Sequence, residues 1–184
     1  MFVYAALADN INGVIYSDLS GRFPVESYWG MQYIFIAYIY DENVILMRPM
    51  KNWTDACMVS VFKDIYEYSK ERKCKPKLQV IDNECSKAVQ KFIKEQEVPI
   101  QLVEPGKNRV NAEEIGVKTG KYYLISSLAM VYKSIPLQLW CQYIPQIEMT
   151  LNMPQQFRQD PTISAYEALN GPFDYNKTPL VPLG

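Results

Sequence analysis

Three acidic residues stand where their carboxylates could act together on a metal ion. Asp18 follows the apolar run Val14–Ser17, Asp82 follows a second run, Leu78–Ile81, and Glu114 lies in the first turn of a predicted helix. Two carboxylates at the ends of neighbouring strands and a third on a facing helix would form an all-oxygen site, which suits Mg²⁺ or Mn²⁺. A pair of such ions, about 3.5–4 Å apart, can activate a water or hydroxyl group and stabilise the leaving oxygen of a phosphodiester.

The local setting of these acids matters more than their spacing. The chain carries 20 Asp and Glu residues among 184, and a solvated surface position is the usual place for such a residue. An acid directly after Val80-Ile81, at the end of an apolar strand, is not in a typical exposed position. The strand-end setting therefore favours a functional role over a plain surface one.

The composition excludes several classes of enzyme. The chain has no His and its four Cys residues form no CxxC pair, so neither a Cys/His zinc site nor a Ser-His or Cys-His nucleophile is expected. The scattered cysteines suit a reducing intracellular compartment and not a secreted protein. The glycines form no phosphate-binding loop, so no nucleotide cofactor is expected. The longest apolar run, Tyr33 to Tyr40, is too short to cross a membrane, so no membrane partner is expected.

The charge balance limits how this chain could bind nucleic acid. Its formal net charge is −1, whereas a domain that binds nucleic acid strongly is usually basic. A nucleic-acid surface on this chain has to be local, or be supplied by another domain.

Hydrophobic periodicity and turn residues predict the elements that would position the three acids. Three strands come first, near Gly13–Leu19, Gln32–Tyr40 and Val44–Pro49. There follow a helix at about Thr54–Lys70, a strand at Leu78–Ile81, a short amphipathic helix around Ala88–Ile93 and a strand at Pro99–Val103. The chain continues with predicted helices at about Asn108–Tyr132, Pro136–Met153 and Thr162–Leu169.

This order, βββαβαβ followed by helices, predicts an α/β protein with a mixed five-stranded sheet flanked by helices. It is the order of the ribonuclease H-like fold. Residues 1–170 would form one such domain with extra C-terminal helices. Residues 171–184 are rich in proline and would form an extended tail over the surface.

Several segments resemble the catalytic core of integrases from retrotransposon polyproteins. They are Tyr16–Pro24, Asp82–Glu84, Asn108–Glu114, Pro136–Trp140 and Ser164–Lys177. The last of them is typical of copia-like and related polyproteins, while the Asp, Asp, Glu triad belongs to the wider retroviral-type integrase family. The resemblance covers almost the whole chain.

The resemblance implies that Asp18, Asp82 and Glu114 are the catalytic and metal-binding residues, with Mg²⁺ or Mn²⁺ as the cofactor. Glu113 competes with Glu114 for the third role. Glu114 is favoured because the family places a small-residue pair before its glutamate and basic residues four and seven positions after it.

Those basic positions are held here by Lys118 and Lys121, on the same helical face as Glu114. They would grip DNA phosphates, and the resemblance adds Arg109 and Asn111 as DNA-binding residues. The plain alternative is a solvated helix face stabilised by a Glu114–Lys118 pair.

The function implied is that of a DNA-integrating polynucleotidyl transferase with endonuclease activity, which trims DNA 3′ ends and then joins them to target DNA. Its partners would be element ends, target DNA and a second copy of the chain, and it would act on chromosomal DNA in the nucleus, or otherwise in a cytoplasmic particle. The dimer would use apolar residues of the last long helices: Leu128, Leu139, Trp140 and Ile144.

Two other functions compete with this one. The first is a catalytically inactive or domesticated core, retained for dimerisation or protein binding. Gly116 and Gly120 favour it, because glycine inside a helix costs about 1 kcal/mol relative to Ala and the family tends to have bulkier residues there. The second is a nuclease of the same fold that acts on RNA–DNA hybrids.

Overall fold

The computed structural model describes residues 13–82, 85–103 and 112–180, except for the side chains of Asp82 and of residues 112–115. The strands are β1 (Val14–Leu19), β2 (Tyr33–Ile39), β3 (Val44–Met50), β4 (Leu78–Asp82) and β5 (Ile100–Val103). The helices are α1 (Asp55–Glu71), α2 (Lys87–Glu95), α3 (Ala112–Met130), α4 (Trp140–Asn152) and α5 (Ala165–Asn170). Within these ranges no helix is long and apolar enough to cross a membrane.

The predicted order of elements and the fold class are confirmed. The five strands form one mixed sheet in the order β3-β2-β1-β4-β5. Strand β1 pairs with β2 in the antiparallel sense and with β4 in the parallel sense, and β5 continues the parallel half beside β4. This is the sheet of a ribonuclease H-like core, in which the first strand lies at the centre.

Two predicted helices begin later than expected. The helix predicted from Pro136 opens as a 3₁₀ turn at Leu137–Leu139, and α4 itself begins at Trp140. The helix predicted from Thr162 begins at Ala165, because the hydroxyl of Ser164 accepts a hydrogen bond from the Glu167 amide at 3.0 Å and caps it.

Strand β2, which lies between β3 and β1, is covered on both faces, as its unbroken apolar sequence predicts. Phe35, Ala37 and Ile39 pack with α1 and α2 on one face, in a core that includes Phe62 and Val89. The alternate residues of β2 face the other way, towards α3 and α4. They are Ile34, Ile36 and Tyr38.

Helix α4 closes the free edge of β3 with polar side chains. The amide oxygen of Asn152 accepts from the backbone of Ile45 at 2.9 Å, and its NH₂ group donates to the Ile45 carbonyl at 2.8 Å. The carboxylate of Glu148 accepts from the Met47 amide at 2.6 Å and pairs with Arg48 at 2.8 Å. These contacts satisfy the edge groups that another strand would otherwise pair with.

Two of the residues predicted to form the dimer surface lie in the protein's own core, so this part of the prediction is wrong. Trp140 is 3% exposed and Ile144 is 2% exposed. Trp140 stacks on Phe23 with ring centroids 4.3 Å apart, and its indole donates to the Val25 carbonyl at 2.9 Å. The chain before β2 therefore folds back over α4 and takes the place that the prediction gave to a partner.

The two glycines inside α3 allow this helix to lie close to the sheet. A Cβ atom at Gly116 would lie 2.5 Å from the ring of Tyr38, and one at Gly120 would lie 3.0 Å from Cγ2 of Ile45. Both glycines are buried, and their spacing of four puts them on one helical face. They are packing residues, so they are not a sign of a decaying domain.

Replacing Gly116 by Ala is expected to lower the free energy of unfolding by about 1–3 kcal/mol, the usual cost of overpacking a core. The gain in helix propensity offsets at most about 1 kcal/mol of this, and the Tyr38 ring that the added methyl group would meet is buried, with only 2% of it exposed. Urea unfolding measures the difference. Gly21→Ala is the control, because a Cβ atom there would meet nothing within 4 Å. Equal stability of Gly116→Ala and wild type would contradict the close approach.

Candidate metal and nucleic-acid site

Asp18 lies one residue before the end of β1, at the centre of the sheet. One of its carboxylate oxygens accepts a hydrogen bond from the Leu19 amide at 2.7 Å. The other lies 2.6 Å from the ammonium group of Lys121 on α3. The side chain is 46% exposed, so the carboxylate is fixed on two sides and still open to solvent.

Asp82 is the last residue of β4, the parallel neighbour of β1. The register pairs Ser17 with Ile81, and Asp18 and Asp82 are the next residues of these two neighbouring strands. The prediction that the two acids lie at the ends of adjacent strands is confirmed, while the prediction that their carboxyl groups are close enough to share a metal stays a prediction. The side chain of Asp82 is outside the described part of the structure.

The remaining predicted site residues are on or just before α3. Glu113 and Glu114 lie in the first turn of this helix, but their side chains are not among those described. Arg109 and Asn111 lie outside the described residues. Lys118 is exposed one turn after Glu114, as the helical spacing predicts.

The contact between Lys121 and Asp18 directly links two of the predicted site residues. The two residues are 103 positions apart, and no sequence pattern connects them. The sequence had assigned Lys121 to DNA phosphates, whereas in the structure it bonds to a predicted metal ligand. Because both side chains are partly exposed, the pair contributes only about 0.2–1 kcal/mol to stability. Its importance is its position, since it shows that this part of α3 lies over the end of β1.

The chemistry of these donors fits a hard divalent cation. Carboxylate oxygens are the ligands that Mg²⁺ and Mn²⁺ prefer, and the ammonium group of Lys121 already marks the Asp18 oxygen as a place that favours positive charge. Among the side chains that the structure describes, no group of three potential ligands comes together. Those of Asp82 and Glu114, the other two predicted ligands, are not part of that set.

Comparison with known proteins gives the same fold. No protein-family model matches the sequence, and no curated protein matches it at a significant level. Among solved structures, the dimeric form of the HTLV-2 integrase catalytic core, solved with magnesium, has a TM-score of 0.59 and 14% identity over 88% of this chain and 97% of that chain. Its trimeric form has a TM-score of 0.59 and 15% identity, over 86% of this chain and 97% of that one.

A third structure is an intasome of simian T-cell lymphotropic virus in complex with the PP2A regulatory subunit B56 gamma. Its TM-score is 0.65 and its identity 12%, over 94% of this chain and 58% of that chain. At such low identities the likeness concerns the fold alone. The chain has the ribonuclease H-like fold that these retroviral integrase catalytic cores have.

Replacing Lys121 by Met should raise the affinity for Mn²⁺ by a factor of about 1.4–5, because the ammonium group competes with a metal ion for the same Asp18 oxygen. This factor corresponds to the roughly 0.2–1 kcal/mol that such an ion pair contributes. Titration calorimetry measures it. Lys133→Met, the same charge change at an exposed lysine just beyond α3, is the control. An affinity lower than that of the control would mean that Lys121 supports the metal and does not compete with it.

Proposed function

We propose that this chain is the catalytic core of a DNA-integrating polynucleotidyl transferase, related to those of copia-like polyproteins. It would trim DNA 3′ ends and join them to target DNA. The observation that carries the proposal is the placing of Asp18 and Asp82 on adjacent central strands, with Lys121 of α3 bound to Asp18. The core fold of its structural neighbours supports the same function, and one of them is a core solved with magnesium.

The proposed roles follow from the chemistry of each side chain. Asp18, Asp82 and Glu114 would hold Mg²⁺ or Mn²⁺, which when bound activates the attacking water or 3′-hydroxyl and stabilises the leaving oxygen. Asp18 is suited to this role because its backbone bond to Leu19 orients the carboxylate. The chain has no His, the side chain that most often transfers protons near neutral pH, and the proposal gives its own residues the roles of positioning and charge stabilisation.

Lys121 would have two successive partners in this proposal. A cation bound to Asp18 would replace the ammonium group of Lys121 as the positive partner of that carboxylate. The ammonium group would then be available to a DNA phosphate beside the acids. Lys118 would bind the same backbone one turn earlier on α3, and Arg109 and Asn111 would add contacts before the helix. With a net charge of −1, DNA affinity from counterion release should be weak outside this local face.

We further propose residues 1–170 as the core domain and residues 171–184 as its tail. A protein of this function would act on chromosomal DNA, which places it in the nucleus, or in a cytoplasmic particle before that. Gly116 and Gly120 no longer favour the alternative of a catalytically inactive module, because both glycines have a packing role.

Asp18→Asn should reduce strand transfer of a duplex oligonucleotide by about 100-fold or more, because a bound metal contributes several kcal/mol to the transition state and each 1.4 kcal/mol is tenfold. A gel assay with Mn²⁺ measures the products. Asp174→Asn is the matched control, since its side chain is also 46% exposed and also pairs with a lysine.

The same assay includes an RNA–DNA hybrid as a second substrate. Cleavage of the hybrid alone would favour the nuclease alternative. Wild-type protein that is folded and inactive on both substrates would favour the non-enzymatic module.

A homodimer is also proposed, with a surface different from the one predicted. Five large apolar residues near the end of α3 are between 61% and 74% exposed: Tyr122, Ile125, Met130, Tyr132 and Leu137. The segment 122–132 contains no charged residue. Fully enclosed aromatic side chains bury about 150–250 Å² each, so Tyr122 and Tyr132 alone offer on the order of 300 Å², to which the three aliphatic side chains add. A standard interface takes about 800 Å² from each partner.

Tyr132→Glu should therefore weaken the dimer at least about tenfold, the effect of losing about 1.4 kcal/mol at an interface. Sedimentation equilibrium measures the dissociation constant. Tyr175→Glu, at a tyrosine that is 62% exposed in the C-terminal region, is the control. A wild-type monomer at tens of micromolar would contradict the proposed dimer.

A further inference from the structure

Three polar side chains are buried together between the sheet and α1. Ser17 lies on β1, Gln79 on β4 and Tyr66 on α1, and they are 3%, 0% and 7% exposed. Buried polar groups are costly unless they are hydrogen-bonded, and Gln79 interrupts an otherwise apolar run, Leu78–Ile81. The roles proposed above for the site residues make no use of this cluster.

The side-chain amide of Gln79 is hydrogen-bonded through both its nitrogen and its oxygen. Its NH₂ group donates to the hydroxyl of Ser17 at 2.9 Å, to the Ile15 carbonyl at 3.1 Å and to the Val80 carbonyl at 3.2 Å. Its oxygen accepts from the hydroxyl of Tyr66 at 3.2 Å. Since a backbone carbonyl can only accept, these partners settle which way round the amide lies. Gln79 therefore joins β4 to both β1 and α1.

The cluster lies behind the strand ends that carry the two acids. Successive side chains of a strand point to opposite faces of the sheet, so Ser17 lies on the α1 face whereas its neighbour Asp18 contacts α3. Ile15 and Gln79 are register partners, and each lies three residues before an acid, Asp18 on β1 and Asp82 on β4. The bonds of Gln79 thus join the two strands at the same level, just before the acids.

Stability alone does not require a glutamine at this position. A buried hydrogen bond adds little net stability, and replacing both partners by apolar groups of the same shape can be neutral. The core on this face is otherwise apolar, with Ile15 and Ile81 on the same two strands. A fully bonded polar cluster adds one defined arrangement of the groups that it joins. A metal site needs such definition, because its ligands must be held to within about 0.5 Å.

We propose that Gln79 is a positioning residue for the metal site, through its bonds to β1 and α1. It holds the ends of β1 and β4 at the separation at which Asp18 and Asp82 can share a metal ion. The inference rests on the metal site of the proposed function. Gln79 contacts neither metal nor DNA, because it is fully buried on the face of the sheet away from α3.

Gln79→Met removes the amide and keeps an unbranched side chain that packs easily. The affinity for Mn²⁺, measured by titration calorimetry, should fall about tenfold, the lower end of the effect of groups that support metal ligands without contacting the metal. Asn152→Leu is the matched control. Asn152 is also a buried amide, 4% exposed, and it joins α4 to β3 by two bonds to Ile45. Strand β3 is two strands away from β1. Urea unfolding checks that both variants are folded.

Equal Mn²⁺ affinities of Gln79→Met and Asn152→Leu would overturn the positioning role, because both variants lose a buried amide. If either variant does not fold, Ser17→Ala and Ser69→Ala decide. Both remove a buried hydroxyl, but that of Ser17 is bonded to Gln79, whereas that of Ser69 donates to the Ile65 carbonyl at 2.8 Å. Ser17→Ala should lower the affinity by about twofold to tenfold, the effect of one hydrogen bond. Equal affinities of this second pair would overturn the proposal likewise.

Failure of the positioning role and failure of the proposed function give different results. Wild type that binds Mn²⁺ with an affinity unaffected by Gln79→Met would overturn the positioning role alone. Wild type that binds no Mn²⁺, or that keeps its affinity in Asp18→Asn, would overturn both, because no metal would then lie at the acids. Wild type that loses Mn²⁺ affinity in Gln79→Met but performs no strand transfer would overturn the proposed function and leave the positioning role standing.

Discussion

The close approach of α3 to the sheet is the constraint on which the rest of this structure depends. A helix with larger side chains at positions 116 and 120 would sit further from β2 and β3, because the rings and methyl groups beneath it are fully packed. At the observed distance, Lys121 reaches the carboxylate of Asp18. Gly116 and Thr119 also come to line a cavity beside Arg158. The candidate site and the cavity are thus two results of one packing arrangement.

The second feature that determines the architecture is the edge of the sheet. Strand β3 would expose a row of backbone groups, and α4 covers it through side chains instead of a further strand. Asn152 and Glu148 do this from one face of α4, one turn apart, while Ile144, Ile147 and Leu151 pack against the sheet. The apolar face of α4 is therefore buried within the chain, whereas the large apolar residues near the end of α3 are exposed.

The charged side chains of this protein form local pairs and not a wide surface of one sign. Lys121 pairs with Asp18, Arg48 pairs with Glu148, and Arg158 donates to the hydroxyl of Tyr38 in β2. A chain with a net charge of −1 gains little from long-range attraction to DNA. If the proposed function holds, affinity must come from a few phosphate contacts around α3 and from metal ions at the carboxylates.

The sequence by itself determined the order of strands and helices, the burial of β2 on both faces, and the place of Asp18 and Asp82 at strand ends. Each of these depends on local periodicity, and an apolar run of β-branched residues forms the same strand in many surroundings. The glycine pair at 116 and 120 was interpreted from the sequence as a sign of an inactive core, and this was wrong. Two small residues four apart are also the pattern of a close helix contact, which is the signal that could have identified them.

Only the tertiary structure decided which faces meet. The sequence analysis assigned Trp140 to a dimer surface, whereas in the structure the segment around Phe23 covers it. The two cases cannot be told apart in sequence, because apolar surface has the same pattern whether its own chain or another copy buries it. The Lys121–Asp18 and Arg158–Tyr38 contacts join residues 103 and 120 positions apart. Local pattern has no information on such pairs, because the relative placement of whole elements sets the distance between them.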